Sequence, residues 1–454
     1  MFGAGLGAGQ QLFAGDGLQG GQLFGAHFGQ APHNVRIGLL GLAFRAGGLG
    51  LRYNYPQRLS DRKRERMRYV TAGESHGPEL VAIVEDVPAG LKVSAEQIDY
   101  DLSRRQSGYG RGGRMTIERD HARIVSGVRF GRTLGSPVAL VVENRDWANW
   151  TERMAADGQP PADLKREVTP RPGHADLVGA LRTNTDDCRD ILERASARET
   201  AARVAAAGIA REFLAELGVE IYSYVVSVGD VAMKEASPAD AASYNPMAIE
   251  TSEMRCPDAA ATEAMKQAIN RARRAGESLG GTFRVVATGL VPGLGTYAQA
   301  KGRLTGQLGA ALFSIPAIKG VEFGLGFEAA QLPGSQVHDP ILLAGGGFDR
   351  ASNNAGGLEG GMTSGLPLVV TAAMKPIPTL MTPLSTVNLE TLAPEEASKE
   401  RSDVCAVPAA AVVAEAEVAF VLASAYQEAF GGTCMADIRR NLEQYKGRLR
   451  AFAR

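Results

Sequence analysis

The amino-acid sequence predicts an α+β fold, a sandwich with helices packed between antiparallel sheets. From residue 67 onward, strand-like and helix-like stretches alternate, which restricts the architecture to α/β or α+β. Two long helical segments, 196–217 and 408–430, are apolar on too many sides to lie at a surface. They belong between layers, and a sandwich with its sheets outside fits them better than a doubly wound sheet.

The elements follow in order. Met67–Thr71 reads as a first strand entering the turn Gly73-Glu74-Ser75-His76-Gly77, and 79–86 as a second strand. Ser94-Ala95-Glu96-Gln97 is a capping box whose helix carries Ile98 and Leu102 on its apolar stripe and stops near Ser107-Gly108. A Gly/Arg loop fills 107–114, strands follow near 121–126 and 137–142, and 145–170 is polar and irregular. Ser196–Leu217 reads as one long helix with Gly218 as its stop, followed by a strand at 219–226. Helix 260–275, strand 282–290, helix 306–315, strand 366–375 and helix 408–430 continue the alternation.

The first 66 residues are of a different composition. Gly, Ala, Gln, Leu and Phe dominate 1–50, and no helical or strand period runs through them. Gly15-Asp16-Gly17-Leu18-Gln19-Gly20 is formally G-x-G-x-x-G, but no strand precedes it and no helix pattern follows, so it does not read as a dinucleotide site. The stretch lacks the features of a signal or transit peptide. Residues 1–66 are expected to be a disordered extension or the product of a start assigned upstream of Met67, and 67–454 a single catalytic domain. The basic run Arg62–Arg66 before Met67, whose codons are compatible with a purine-rich ribosome-binding site, agrees with the second alternative.

Among 454 residues, 44% are hydrophobic and 22% charged, ordinary values for a globular chain. A net charge of −1 gives no global field for nucleic acid. No apolar run is expected to reach the roughly 20 residues of a membrane span. Cys188, Cys256, Cys405 and Cys434 are widely spaced, without a C-x-x-C pair, and read as reduced thiols of a cytoplasmic protein rather than disulfides or a metal site.

The chemistry-bearing segments are seven. Gly73–Gly77 matches G-x-S-x-G, the nucleophile elbow of serine hydrolases, but Pro78 and a strand-like run follow where that motif needs a helix. The alternatives are His76 as the acting group, or a plain glycine turn. His174, in Arg171-Pro172-Gly173-His174-Ala175-Asp176, sits on a rigid turn beside Arg and Asp, where an imidazole facing a dianion is held protonated; the alternative is a plain turn in which Asp176 hydrogen-bonds its own backbone. Glu193–Arg203 crowds Arg, Ser and Glu at the expected start of the helix 196–217; arginines where the helix dipole disfavours them suggest an anion in front of them. Arg104 and Arg105 precede, and Arg111 lies in, the loop Tyr109–Arg114, which reads either as a short RGG-type nucleic-acid element or as a clamp of guanidinium forks on a small anion. Asn353–Gly365 is dense enough in glycine to let backbone approach a ligand, and Lys375–Thr379 follows a strand end. Arg401 and Asp403 precede the last long helix, where Asp403 is either functional or a cap.

Taken in this order, Gly73–Gly77, Arg171–Asp176, Arg194–Arg203, Asn353–Gly365 and Arg401–Pro408 resemble the chorismate synthases, from about Met67 to the C-terminus, with Arg111–Met115 and Arg401–Cys405 similar to the actinobacterial form. The resemblance implies a lyase that converts 5-enolpyruvylshikimate-3-phosphate to chorismate by 1,4-anti elimination with reduced FMN. It also implies a β-α-β sandwich, a homotetramer, and NADPH as the indirect reductant through a separate flavin reductase; neither nucleic acid nor membrane is an implied partner. By the same resemblance His76 protonates or holds the flavin, His174 is an acid near the leaving phosphate, and Asp403 helps remove a proton. Arg105 and Arg111 bind the anionic substrate or a pyridine nucleotide. Arg194, Ala195, Ser196, Pro316, Ala317, Gly360, Lys375, Pro376, Ile377, Pro378, Thr379 and Arg401 match flavin contacts, and no metal is implied. Three positions depart from the family pattern: Ala195 for Ser, Pro316 for an amide residue, and Leu325 for an acidic residue between Gly324 and Gly326.

Overall fold

The computed structural model describes residues 66–113, 118–234, 237–238, 240–345, 347–400 and 402–452. The expectation for the Gly-rich segment 1–66 therefore lies almost wholly outside the described residues.

Two antiparallel sheets form the outer layers. One has the strand order Arg68–Ala72, Glu79–Glu85, Val138–Glu143, Ala122–Ser126. Its second strand alternates strictly, with Leu80, Ala82 and Val84 turned inward, as a sheet with one buried face requires. The other sheet is ordered Ile318–Phe323, Leu368–Met374, Gly281–Thr288, Glu220–Val228, Val231–Ala232. Its central strands are largely buried on both faces, with Ser223, Arg284 and Thr371 among the buried residues.

Between the sheets lie two layers of helix. Thr200–Glu216 packs on the first sheet, Val407–Phe430 packs on the second, and the two helices pack on each other, with Ala95–Gln106 and Leu304–Phe313 alongside. Small side chains allow the close approach: Ala201, Ala202, Ala205, Ala206 and Ala207 are fully buried on one helix, as are Ala411, Ala414, Ala419 and Ala423 on the other. Gly208 is needed at its crossing with Ala95–Gln106, because a Cβ there would stand 2.6 Å from Ile98 Cγ1. The sandwich expected from the sequence is thus the observed α+β fold.

Three expectations need correction. First, 196–217 is not one helix. Arg189–Ala195 is a short helix of its own, Ser196 caps a single tight turn at 197–199, and the long helix begins at Thr200. Arg194 therefore lies in the last turn of a helix, where the dipole favours a cation, and the argument that it faces an anion fails. Second, Val407–Phe430 is 24 residues of mainly apolar sequence, long enough to cross a membrane by length and composition alone. Its burial among both sheets and the presence of Glu415 and Glu417 in its buried face mark it as a core helix. Third, the strand expected near 121–126 begins at Ala122, so that His121 precedes it. The strand Ile318–Phe323, the short helix Asp176–Thr183, the hairpin Ile341–Ala344/Gly347–Arg350 and the terminal helix Met435–Phe452 were not among the expected elements and are additions.

Candidate active site

The turn Gly73–Gly77 joins two neighbouring strands of the first sheet, and no helix follows it. Gly73 has φ +106°, and a Cβ on it would meet Glu79 O at 2.4 Å, so the turn needs glycine. Asn144 pins it, donating from Nδ2 to Glu74 O at 3.1 Å and Gly77 O at 2.7 Å. Ser75 is buried and bonded through Oγ to Ser196 Oγ at 3.1 Å, which is not the exposed nucleophile of a hydrolase elbow. His76 is also buried. Its backbone N–H donates to Glu193 Oε2 at 2.8 Å, its Nδ1 lies 2.8 Å from Glu193 Oε1, and its ring centroid is 4.1 Å from that of Trp150. Burial pushes the Glu193 carboxyl up, but its bonds to His76 and the charge of Arg189 hold it below the usual range.

The second turn, Arg171–Asp176, ends in the helix Asp176–Thr183. Asp176 is fully buried and accepts from Arg171 N–H and Nε and from His174 Nδ1. Burial opposes its ionisation, yet the bonds from His174 and Arg171 outweigh burial and keep it a carboxylate.

These segments meet at a cavity of about 450 Å³, within the roughly 300–1,000 Å³ typical of small-molecule sites. His174 and Asp403 line it, as do Arg105 and Arg111. So do Ala195, Ser196, Pro316, Ala317, Lys375, Ile377, Pro378 and Thr379. Twelve of the expected site residues are thereby brought together on one surface. Pro376 lies between two of them, and His76 stands behind the wall, its neighbour Ser75 bonded to the lining Ser196. Arg194 is outside: its guanidinium donates to Thr71 O and Oγ1 and to Gly73 O, tying the first turn to its helix. Gly360 is outside too, at the tip of the hairpin Leu358–Glu359/Met362–Thr363. The glycines preceding it serve the chain's own packing, since a Cβ on Gly356 or Gly357 would strike backbone at 2.3 or 2.4 Å. Arg401 lies outside the described residues.

The lining carries five Lys or Arg side chains, Arg105, Arg111, Arg198, Lys319 and Lys375, and a single carboxylate, Asp403. Asp403 accepts from Gly112 N–H at 2.6 Å and pairs with Arg111 Nη1 at 2.8 Å. With Arg111 turned inward, the nucleic-acid reading of this loop loses its exposed guanidinium. Arg105 is buried, bonded through Nε to Thr200 Oγ1 and through Nη2 to Ala197 O, each at 2.9 Å. Its Nη1 makes no hydrogen bond, and the nearest acid, Asp120, is 3.6 Å away. Burial, with Arg198 and Arg111 nearby, pushes the Arg105 pKa down to about 10 despite Asp120. A site that holds a guanidinium this poorly compensated is built to receive an anion. The starts of two helices, at Ala175 and Ala406, and the tight turn that opens at Ala197 also border the cavity and present N–H groups of the same sign. Ala317 holds a left-handed φ of +69° on the wall, a strain that non-glycine residues adopt at functional sites.

A family model described as chorismate synthase matches residues 67–427. The chain belongs to the chorismate synthase family. It is 52% identical to the chorismate synthase of Aquifex aeolicus, over 85% of this chain and 99% of that protein. It is 55% identical to that of Trichlorobacter lovleyi, over 85% and 100%, and 56% identical to that of Desulforudis audaxviator, over 85% and 98%. A crystal structure of chorismate synthase superposes with a TM-score of 0.70 at 43% identity, covering 86% of this chain and 99% of that one. The protein is therefore a lyase of the chorismate synthase class, and its sandwich is that family's fold.

Sequence reasoning passed over several residues of this chorismate synthase site. Lys319 lies on a strand that gave no signal. Arg198 and Glu193 stood inside the quoted Glu193–Arg203 segment without an assigned role, and Arg198 proves to bind Asp120 at 2.7 Å and Asn144 Oδ1 at 2.8 Å. Trp150 came from a stretch read only as irregular.

Proposed function

We propose that this enzyme converts 5-enolpyruvylshikimate-3-phosphate to chorismate and inorganic phosphate, with reduced FMN held in the same cavity. The observation that carries this reading is the excess of five cations over one carboxylate on the lining, with Arg105 Nη1 lacking a hydrogen bond. A substrate bearing a phosphate and two carboxylates supplies the missing charge.

The residues also suit the cofactor. Ala406, Ala409, Ala410, Ile315, Pro316 and Ala317 form an apolar stretch of the lining, matched to a flat ring system, while Ser196, Lys375 and Thr379 offer polar groups beside it. Ala195, Ile377 and Pro378 complete the flavin wall in this reading, with Pro376 between them. When bound, reduced flavin supplies electron density to a substrate ring that becomes cation-like as phosphate departs.

The protein's part is charge and proton handling. Arg105 and Arg111 grip the anionic substrate. Asp403 takes the proton from carbon 6 once Arg111 has turned from it to the substrate. The pair of the broken C6–H bond forms the C1–C6 double bond, the C1–C2 π pair moves to C2–C3, and the C3–O pair leaves with phosphate. His174 donates a proton to that leaving group. No electrons are lost overall, so NADPH acts only indirectly, through a separate flavin reductase. His76 holds a proton at the wall behind Ser196. Residues 67–454 act as one catalytic domain within a homotetramer in this proposal; Arg194 and Gly360 have no role in the pocket.

The test is an anaerobic assay with reduced FMN and the substrate, following chorismate by absorbance. Chorismate and phosphate should appear in equal amounts, and oxidised FMN should give neither. Folded protein that makes no chorismate under these conditions sinks the proposal.

A further inference from the structure

Both histidines of the site are backed by a buried carboxylate in the same way. Asp176, fully buried, accepts at Oδ2 from Arg171 N–H at 3.1 Å and Arg171 Nε at 2.8 Å. Its Oδ1 contacts His174 Nδ1, with Arg171 Nη2 3.2 Å from that oxygen. Glu193, 2% exposed, accepts at Oε2 from the His76 backbone N–H at 2.8 Å, while Oε1 contacts His76 Nδ1 at 2.8 Å and Arg189 Nη1 at 3.3 Å. One oxygen of each carboxylate is therefore committed to a backbone N–H that can only donate, and the other to an imidazole.

We propose that Asp176 and Glu193 are positioning residues that fix the tautomers of His174 and His76, keeping a proton on Nδ1 of each ring. This rests on the catalytic reading of the two histidines given above, and deepens it. Two facts support it. Both carboxyls are held ionised, so the proton in each contact belongs to the imidazole. And an arginine beside each carboxylate, Arg171 or Arg189, keeps that state stable at depth. In the neutral ring Nε2 is then the basic nitrogen, and for His174, on the cavity lining, this is the nitrogen that exchanges a proton with ligand.

The amide variants make the proposal testable. In Asp176→Asn the amide oxygen must take the place facing Arg171 N–H and Nε, because both are obligate donors. The NH₂ then faces His174 Nδ1, which can satisfy it only by losing its proton to Nε2. Arg171 Nη2, already 3.1 Å from Nδ1, favours the same tautomer. Glu193→Gln acts on His76 by the same logic, through the His76 backbone N–H.

The experiment is ¹⁵N NMR of the imidazole nitrogens in the full-length enzyme, at a pH where both rings are neutral, with signals assigned by His76→Gln and His174→Gln. Wild type should carry the proton on Nδ1 in both rings. Asp176→Asn should move it to Nε2 in His174 alone, and Glu193→Gln in His76 alone. Turnover should fall about 10–100-fold in each, as for other groups that orient a histidine, with KM for the shikimate phosphate nearly unchanged. Asp176→Glu and Glu193→Asp, which keep a carboxylate, should retain the Nδ1 proton. A wild-type proton on Nε2, a measurement independent of whether any variant folds, overturns the proposal, as does an unchanged tautomer in the amide variants. A tautomer that moves without loss of turnover upholds the positioning and overturns the catalytic roles of the histidines instead.

Discussion

Arg111 closes on Asp403: Nη1 stands 2.8 Å from Oδ2, and the adjacent Gly112 donates its N–H to Oδ1 at 2.6 Å. A Cβ at Gly112 would lie 2.8 Å from Ser402 O, so the approach of this loop to the carboxylate depends on glycine. The one acid on the lining is thereby neutralised by a residue that the substrate's own charge can draw away.

Arg111→Ala should raise KM for the shikimate phosphate by about 10–100-fold, the equivalent of one charge-assisted hydrogen bond of about 1.5–3 kcal/mol. Steady-state kinetics checks this. An unchanged KM means that the arginine serves only Asp403.

Asp403→Asn keeps the shape and the Gly112 contact but loses the basic oxygen. Turnover should fall by something like 10²–10⁴-fold, the range for a general base, while reduced FMN still binds. Flavin titration separates the outcomes: loss of binding with normal turnover at saturation marks Asp403 as structural.

Glu415, 1% exposed, sits in the core between Arg104, Arg211 and Arg255. Burial opposes its charge, but the three arginines outweigh burial and take its pKa from 4.5 down to about 2. A carboxyl depressed on folding adds stability that is complete above its unfolded value and fades as pH falls from about 4.5 towards about 2. Melting temperature should drop across that window. Glu415→Ala should cost about 3–5 kcal/mol by leaving buried arginines uncompensated, measured by urea unfolding at neutral pH, and should also flatten the acid dependence.

Cys188 and Cys405 are buried, and burial pushes both thiols up to about 11; Cys256 is raised by the same cause. Only Cys434 is partly exposed. Iodoacetamide at neutral pH should label Cys434 in the folded enzyme and all four thiols after unfolding. Rapid labelling of Cys405, next to the Asp403 loop, contradicts the packing described.

The layers were legible because they rest on local pattern. Leu80, Ala82 and Val84 alternate, Ser94 caps its helix by accepting from Gln97 N–H at 3.2 Å, and the alanines of 200–216 permit only a buried position. The site was legible where glycine, proline and charge coincide, as around His76, His174 and Asp403. It was illegible where a role depends on distant partners. Nothing near Arg194 in the sequence shows that it bonds Thr71 and Gly73, and nothing near Trp150 shows that it stacks on His76. The Val407–Phe430 helix was read correctly as a buried layer, but the length of its apolar run was not; composition states apolarity without saying whether lipid or protein supplies the surroundings.

That helix has one more consequence. Ala406, just before it, and Ala409, Ala410 and Val413 in its first two turns are cavity wall, while Glu415 and Glu417, one turn further on, anchor ion networks reaching the other helices and the second sheet. Catalytic competence and global cooperativity are thus carried by the same rod. Loosening either end should be felt at the other, so heat inactivation and loss of tertiary structure should coincide, and tight ligands should raise the melting point of the whole protein rather than stiffen one loop.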